Sequence, residues 1–247
     1  MFRNLDKKIL HIIVIITIIF VILCIAGILI LRYQVEGERN MPFKITKISI
    51  VGSVEGTQVE GATEKWKLNV NQNNDIYIYI EKNSNYGKTE IIEEVEINNI
   101  NINKQNEKGE IKLYKPVVDE KRMYINTPEN EISSIIYKGE LQSNIKEQKI
   151  SNQGGIVSFR YGINNIAQYV SESDEQIDHS QLLKLTNITQ EDIKTNLLFN
   201  IIIKLTSGKK YQATVNLEIP TEEIIEKGTL GKETTDVDNI IFKRIEN

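Results

Sequence analysis

The chain has 247 residues, 40% hydrophobic and 26% charged, a composition typical of a folded protein that excludes a wholly disordered chain. Its net charge is −4. A mildly acidic total argues against nucleic acid as a partner and against an electrostatic grip on anionic lipid, because both need a basic surface, although a local basic patch is compatible with a negative total. The single cysteine, Cys24, lies in an apolar run, so the rest of the chain has no disulfide, thiolate nucleophile or cysteine metal ligand.

The apolar run from Ile9 to Leu31 predicts a transmembrane helix. About 23 residues would span roughly 34 Å as a helix, enough to cross the hydrocarbon core. The run is longer than the hydrophobic region of a cleaved signal peptide, and the small residues Ala26 and Gly27 are followed by four more aliphatic residues. We therefore expect an anchor that is retained in the bilayer.

The charges that flank the run predict its orientation. Arg3, Lys7 and Lys8 precede the run, whereas Arg32 and Arg39 after it are diluted by glutamates. The excess of basic residues favours a cytoplasmic N-terminus. We expect residues 1–8 to be a cytoplasmic tail, 9–31 the membrane span, 32–42 a polar stalk and 43–247 an extracytoplasmic β-rich region of a single-pass cell-membrane protein.

The clearest strand signals lie near the C-terminus. Apolar and polar residues alternate from Tyr211 to Ile219, and Leu197–Leu205 is almost entirely apolar. Ser207–Lys209 contains a glycine and separates the two runs, which predicts a β-hairpin whose second strand ends at Pro220.

Further strands are predicted at 43–51, 65–71, 75–82, 90–103, 110–114, 132–138, 156–163 and 166–170. The apolar phase slips between Ile45 and Ile48 and between Ile97 and Ile100, which predicts bulges or bends there. Turn residues predict breaks at 52–53, 71–74, 83–87, 106–109 and 152–155. Short helical segments are expected at 180–185, after Thr189, and at 221–226.

This pattern of short strands and turns predicts an all-β ectodomain, an antiparallel β-sandwich behind one transmembrane helix. The segment 116–130, with Pro116 and Pro128, is a candidate boundary. One sandwich and two tandem sandwiches are both compatible with the sequence.

Three runs carry a resemblance: FKITKISIVGSVEG, NQNNDIYIYIEKN and LTSGKKYQATVNLEIP. Behind such an anchor, they resemble uncharacterised single-anchor membrane proteins of AT-rich Gram-positive bacteria. The resemblance implies a cell-envelope setting but no activity or site.

Candidate catalytic residues are few. His179 lies beside the acidic run 172–178, which is most simply an exposed loop. Ser143 and Lys146 match a Ser-x-x-Lys pattern without its companion Lys-Thr-Gly motif. One ectodomain histidine and no cysteine argue against a zinc site. We expect no catalytic residue, no metal, no cofactor and no enzymatic activity.

One strand predicts an interaction surface. Ile76, Ile78 and Ile80 share one face of it, so Tyr77 and Tyr79 share the other, with Lys82 as an expected neighbour. Tyrosine combines an apolar ring with a hydrogen-bonding tip and is common at protein interfaces and in glycan stacking. The alternative is a strand that is covered on both faces, in which the tyrosines serve packing.

Three functional hypotheses follow. The first is a non-enzymatic scaffold or adaptor that binds other envelope proteins. The second is a module that binds cell-wall glycan, and the third is an envelope hydrolase that uses two carboxylates. In all three, the bilayer holds residues 9–31.

Overall fold

The computed structural model describes residues 7–39, 41–104, 107–117 and 123–245. Helix α1 spans Lys7–Arg39 and includes most of the segment that the sequence predicts to be a stalk. Its window His11–Ile30 has a mean hydropathy of 3.5, with none of it buried against the rest of the chain. By length and composition this helix can cross a membrane. Arg3, on which the predicted orientation partly rests, lies outside the described residues.

The rest of the described chain is predominantly β-structure, as predicted. Its strands are β1 (Phe43–Gln58), β2 (Trp66–Lys82), β3 (Ile92–Lys104), β4 (Glu110–Tyr114), β5 (Ile135–Gly139), β6 (Gln148–Ile150), β7 (Gly154–Ser171), β8 (Thr195–Leu205), β9 (Lys210–Glu218), β10 (Thr229–Thr234) and β11 (Lys243–Ile245).

The strands form two sheets. Sheet I has the order β10-β1-β2-β7-β4, and sheet II has the order β11-β9-β8-β3-β5-β6. All neighbouring strands are antiparallel except β5 and β6. The segment 116–130 lies between β4 in sheet I and β5 in sheet II, so it connects the two sheets. Residues 118–122 of it are not described.

The core lies between the two sheets, and the buried apolar residues of both sheets belong to one contiguous cluster. Phe159 of sheet I and Phe199 of sheet II are both fully buried and meet edge to face, with ring centroids 5.3 Å apart and an angle of 79° between the ring planes. Such aromatic pairs contribute beyond the area that they bury.

Several sequence predictions are confirmed in detail. β8 and β9 form the predicted hairpin, and Gly208 in its turn has φ 81°. The two phase slips correspond to register shifts, one between Ile45 and Lys47 and one between Asn98 and Asn101. At each shift the extra residue lets apolar side chains stay on the core side.

Two predicted turns are wrong. Gly52 and Ser53 lie within β1. The glycine at position 52 serves close packing rather than chain reversal, because a Cβ there would approach the Ile224 Cδ1 to 2.9 Å. Residues 71–74 lie buried within β2. Their polar side chains suggest a turn, yet Asn71 accepts the N–H of Asn165 at 2.8 Å and Asn73 accepts a side-chain hydrogen bond from Asn126 at 2.7 Å.

Three short helices, α2 (Leu182–Leu185), α3 (Gln190–Ile193) and α4 (Glu222–Lys227), lie near the predicted positions. Asp192 in α3 is buried, and its carboxylate accepts hydrogen bonds from the Thr189 N–H at 2.9 Å, the Thr189 hydroxyl at 3.0 Å and the Lys108 Nζ at 2.9 Å. The bond from the Thr189 N–H, with help from Lys108, holds the pKa of Asp192 below its usual value.

We expect Asp192→Asn to lower the free energy of unfolding by about 1 kcal/mol at neutral pH, because the helix start loses a charged acceptor. Since the folded pKa of Asp192 is lower than the unfolded one, the stabilisation is complete above the unfolded pKa of about 3.9 and is lost as the pH falls through the folded pKa. Denaturant unfolding at neutral and acid pH measures this. A difference between wild type and variant that is the same at both pH values would contradict the assignment.

Candidate interaction surface

The outer side of sheet I carries the two tyrosines that the sequence singles out. Ile76, Ile78 and Ile80 are buried in the core, and Tyr77 and Tyr79 alternate with them on the opposite side, half-buried. β2 lies between β1 and β7, so each tyrosine has a neighbour on both sides. Ser49 and Ser158 flank Tyr77, and Lys47 and Ile156 flank Tyr79.

We call this surface the tyrosine face. It consists of outward side chains of β1, β2, β7 and β10 together with one residue of the loop that follows β4: Lys47, Ser49, Val51, Asp75, Tyr77, Tyr79, Met123, Ile156, Arg160 and Glu233.

Lys47 covers one side of the Tyr79 ring, with its Nζ 4.2 Å from the ring centroid. The same Nζ donates to Glu233 Oε1 at 2.7 Å, and the Ser49 hydroxyl donates to that oxygen at 3.2 Å. The hydrogen bond from Lys47 lowers the pKa of Glu233. Lys82, the neighbour expected from the sequence, is exposed on the last residue of β2 and donates to Gln153 at 3.3 Å. The structure thus places Lys47, not Lys82, beside Tyr79.

A bidentate ion pair lies next to Tyr77 in the centre of the face. Arg160 Nε donates to Asp75 Oδ1 at 2.5 Å and Arg160 Nη2 donates to Asp75 Oδ2 at 3.0 Å. Both side chains are largely buried, with 14% and 13% of their surface exposed. Arg160 also donates to the Asn126 Oδ1 at 3.1 Å and lies over the ring of Tyr124, 4.8 Å from its centroid. The planar guanidinium is therefore fixed on every edge, which makes this part of the face rigid.

Tyr77 sits between this ion pair and the loop that follows β4. Its hydroxyl lies 3.4 Å from the Met123 sulfur, toward which it donates. Burial, together with the nearby charge of Asp75, raises the pKa of Tyr77 to about 12. The phenol therefore stays protonated at neutral pH and remains a hydrogen-bond donor.

Apolar side chains on the tyrosine face are open to solvent. Val51 is 46% exposed, Met123 48% and Ile156 45%. Together with the half-buried tyrosine rings they form an apolar surface crossed by two ion pairs, Lys47–Glu233 and Asp75–Arg160. Aromatic rings, Met and Arg are the residues that are enriched in the centres of protein interfaces.

The other candidates from the sequence do not join this surface. His179 is exposed, and its Nδ1 accepts the backbone N–H of Gly56 at 3.2 Å, so it attaches the loop before α2 to β1. Ser143 donates to the Glu140 carbonyl in a turn at 3.1 Å, and Lys146 nearby is exposed. Within the described ranges, no three His, Cys, Asp or Glu side chains group as a metal site would need.

Sequence reasoning missed Lys47, Val51, Asp75, Met123, Ile156 and Arg160. Alternation within β1 could have placed Lys47 and Val51 on outward positions, and alternation within β7 could have done the same for Ile156 and Arg160. Alternation does not show which strands are neighbours in the sheet. Met123 lies in the irregular segment between Pro116 and Pro128, and no local pattern predicts its contact with Tyr77.

The chain was compared with protein-family models, with curated proteins and with solved structures, and none of these comparisons found a match. The resemblance to single-anchor proteins of Gram-positive bacteria therefore stays a prediction, and the function is argued from the geometry alone.

Proposed function

We propose that the protein is a non-enzymatic scaffold or adaptor of the cell envelope, anchored by α1, whose sandwich binds a protein partner through the tyrosine face. In this proposal the N-terminus is cytoplasmic and the sandwich is extracytoplasmic. The observation that supports it is the exposed apolar area of Val51, Met123 and Ile156 around two half-buried tyrosines. An apolar, aromatic-rich patch of this kind on a soluble surface is typical of a binding site.

The rigidity of the face favours this proposal. The largely buried Asp75–Arg160 pair holds its two side chains in place before any partner arrives. The side chains of the face then lose less conformational entropy on binding than those of a mobile surface would. The ion pairs also supply fixed charges that select the orientation of the partner.

A protein partner fits the face better than a stacked sugar. Glycan-binding platforms need an open aromatic ring, and Lys47 already lies over one side of the Tyr79 ring at 4.2 Å. Tyr77 is covered in part by Met123. What remains open is a mixture of aliphatic edges, tyrosine tips and charges, which is the composition of a protein interface.

The test is crosslinking in intact cells that express tagged full-length protein, with mass spectrometry of the captured molecules. We expect a discrete membrane-protein partner that is lost in the double variant Tyr77→Ser, Tyr79→Ser. The double variant Val51→Glu, Ile156→Glu changes exposed positions only, so it keeps the test valid if the tyrosine variant unfolds.

The matched control is Leu198→Ser, because Leu198 is 41% exposed on β8 of sheet II, away from the tyrosine face. We expect it to leave capture unchanged. Capture of wall fragments alone, or equal capture by all the variants, would overturn the proposal, and the first of these results would favour a wall-glycan-binding module.

A further inference from the structure

One end of the sandwich is tied to the membrane anchor. α1 ends at Arg39 and β1 begins at Phe43, so the first residue of β1 lies within about 14 Å of the helix end. Asn83 in the turn after β2 fixes the connection: its N–H donates to the Pro42 carbonyl at 2.8 Å and its side chain donates to the Met41 carbonyl at 3.0 Å.

We call this end the anchor-proximal end. It comprises the start of β1, the end of β2 with the turn at 83–91, the turn at 206–209 between β8 and β9, and β11. The two turns are joined, since the Thr206 N–H donates to the Ile91 carbonyl at 3.1 Å and Lys209 donates to Glu90 at 2.8 Å. β11 lies next to α1, which brings the end of sheet II to the anchor as well.

The anchor-proximal end is basic although the chain carries a net charge of −4. Glu90 is buried against Lys209, which leaves Glu81 as the exposed acidic side chain in these segments. The neighbouring loop after β5, which Asn152 joins to Ile92, adds one exposed acid, Glu140, and one exposed base, Lys146. The exposed or half-exposed basic side chains there are Lys44, Lys82, Lys88, Lys210, Lys243 and Arg244.

The opposite end of the sandwich carries the acidic charge. The loop before α2 contains Glu172, Asp174, Glu175 and Asp178, all exposed, and the first turn of α4 adds Glu222 and Glu223. Although the net charge of the chain is −4, the charges are separated along the strand direction, with the positive end next to α1.

The distance to the bilayer is short enough for this charge to act. From Leu31 to Arg39 the helix rises about 13 Å beyond the hydrophobic window, and the headgroup layer takes up about 5–8 Å of that height. The end of α1 then stands within about 8 Å of the headgroups, the range over which charges act at physiological ionic strength. Because β11 contacts α1, its basic residues lie close to that range.

We propose that the anchor-proximal end docks on anionic lipid headgroups of the membrane that holds α1. Lysine and arginine clusters beside a membrane span are the side chains that bind such headgroups. The docked sandwich stands with its strands pointing away from the bilayer. The tyrosine face is then turned sideways, toward a neighbour in the same membrane, which goes beyond the proposed function.

The test uses the full-length protein in nanodiscs of phosphatidylcholine alone or of phosphatidylcholine with phosphatidylglycerol, with amide hydrogen exchange as the readout. We expect slower exchange at 83–91 and 206–210 in the anionic nanodiscs. This difference should be lost at about 0.5 M salt, where charge interactions are screened, and in the triple variant Lys82→Gln, Lys88→Gln, Lys243→Gln.

The matched control removes three lysines from the opposite half, Lys65→Gln, Lys184→Gln, Lys227→Gln, which are exposed or half-exposed. It should keep the difference. Equal exchange in both kinds of nanodisc, or a difference that survives the first triple variant, would overturn the proposal. So would protection produced by soluble poly(glycerol phosphate) in neutral nanodiscs without any effect of anionic lipid, since the site would then belong to a polymer.

Discussion

Phe159→Ala is expected to destabilise the sandwich by about 4 kcal/mol, the largest effect of any single change discussed for this chain. Phe159 is fully buried between the sheets and packs edge to face on Phe199, so its removal leaves a cavity and ends an aromatic contact. For a domain of about 200 residues this lowers the melting temperature by about 8–16 °C. Circular dichroism of the full chain in detergent during thermal unfolding measures it.

The matched control is Phe20→Ala, since Phe20 lies in α1, apart from the β-domain, and is 65% exposed. We expect this change to leave the unfolding of the β-domain unaltered. A loss of less than about 1 kcal/mol for Phe159→Ala would contradict the packing of the two sheets around this pair.

Arg160→Met is expected to cost about 3 kcal/mol, because it leaves the carboxylate of Asp75 largely buried without its partner. The double variant Asp75→Leu, Arg160→Met removes both charges, and we expect it to recover most of the lost stability while still impairing binding at the tyrosine face. Denaturant unfolding of the single and double variants, together with crosslinking capture, separates the two effects.

Lys65→Met provides the comparison for Arg160→Met. Lys65 pairs with Asp174, and both side chains are well exposed. Removing such a pair changes stability by less than about 1 kcal/mol. If Arg160→Met were as mild as Lys65→Met, the Asp75–Arg160 pair would not be the rigid centre of the face.

Much of the fold follows from local pattern. Period-two alternation predicts which side chains of β2 and β9 face the core, because successive residues of a strand point to opposite sides. The phase slips predict the two bulges for the same reason. The short strands β6 and β11 carry too few residues to show any period, and β10 begins directly after a helical turn, so the sequence gives no separate signal for them.

The two mistaken turns have a physical explanation. Glycine and asparagine are the usual turn residues, and local pattern cannot reveal that Gly52 is pressed against Ile224 and Leu230. Likewise, Asn71 and Asn73 can lie buried inside a sheet because a bulge in β7 and the loop at Asn126 supply hydrogen-bond partners for their side-chain oxygens. Such partners are distant in sequence.

The candidate site was predictable in part. The outward position of Tyr77 and Tyr79 follows from the buried isoleucines between them. Lys47 and Arg160, which give the face its charges, come from neighbouring strands, and strand order is a property of the whole chain. The charge separation between the two ends could not be predicted from the sequence, because the fold decides which charged residues lie at the same end of the sandwich.

The most direct measurement is photo-crosslinking from a light-activated amino acid placed at Val51 of the full-length protein in intact cells. We predict one discrete adduct with a membrane protein, reduced when Tyr77 and Tyr79 are replaced by serine. The same probe at Leu198, on sheet II and similarly exposed, should give no such adduct. Absence of an adduct from position 51, or an identical adduct from both positions, would contradict a binding role for the tyrosine face.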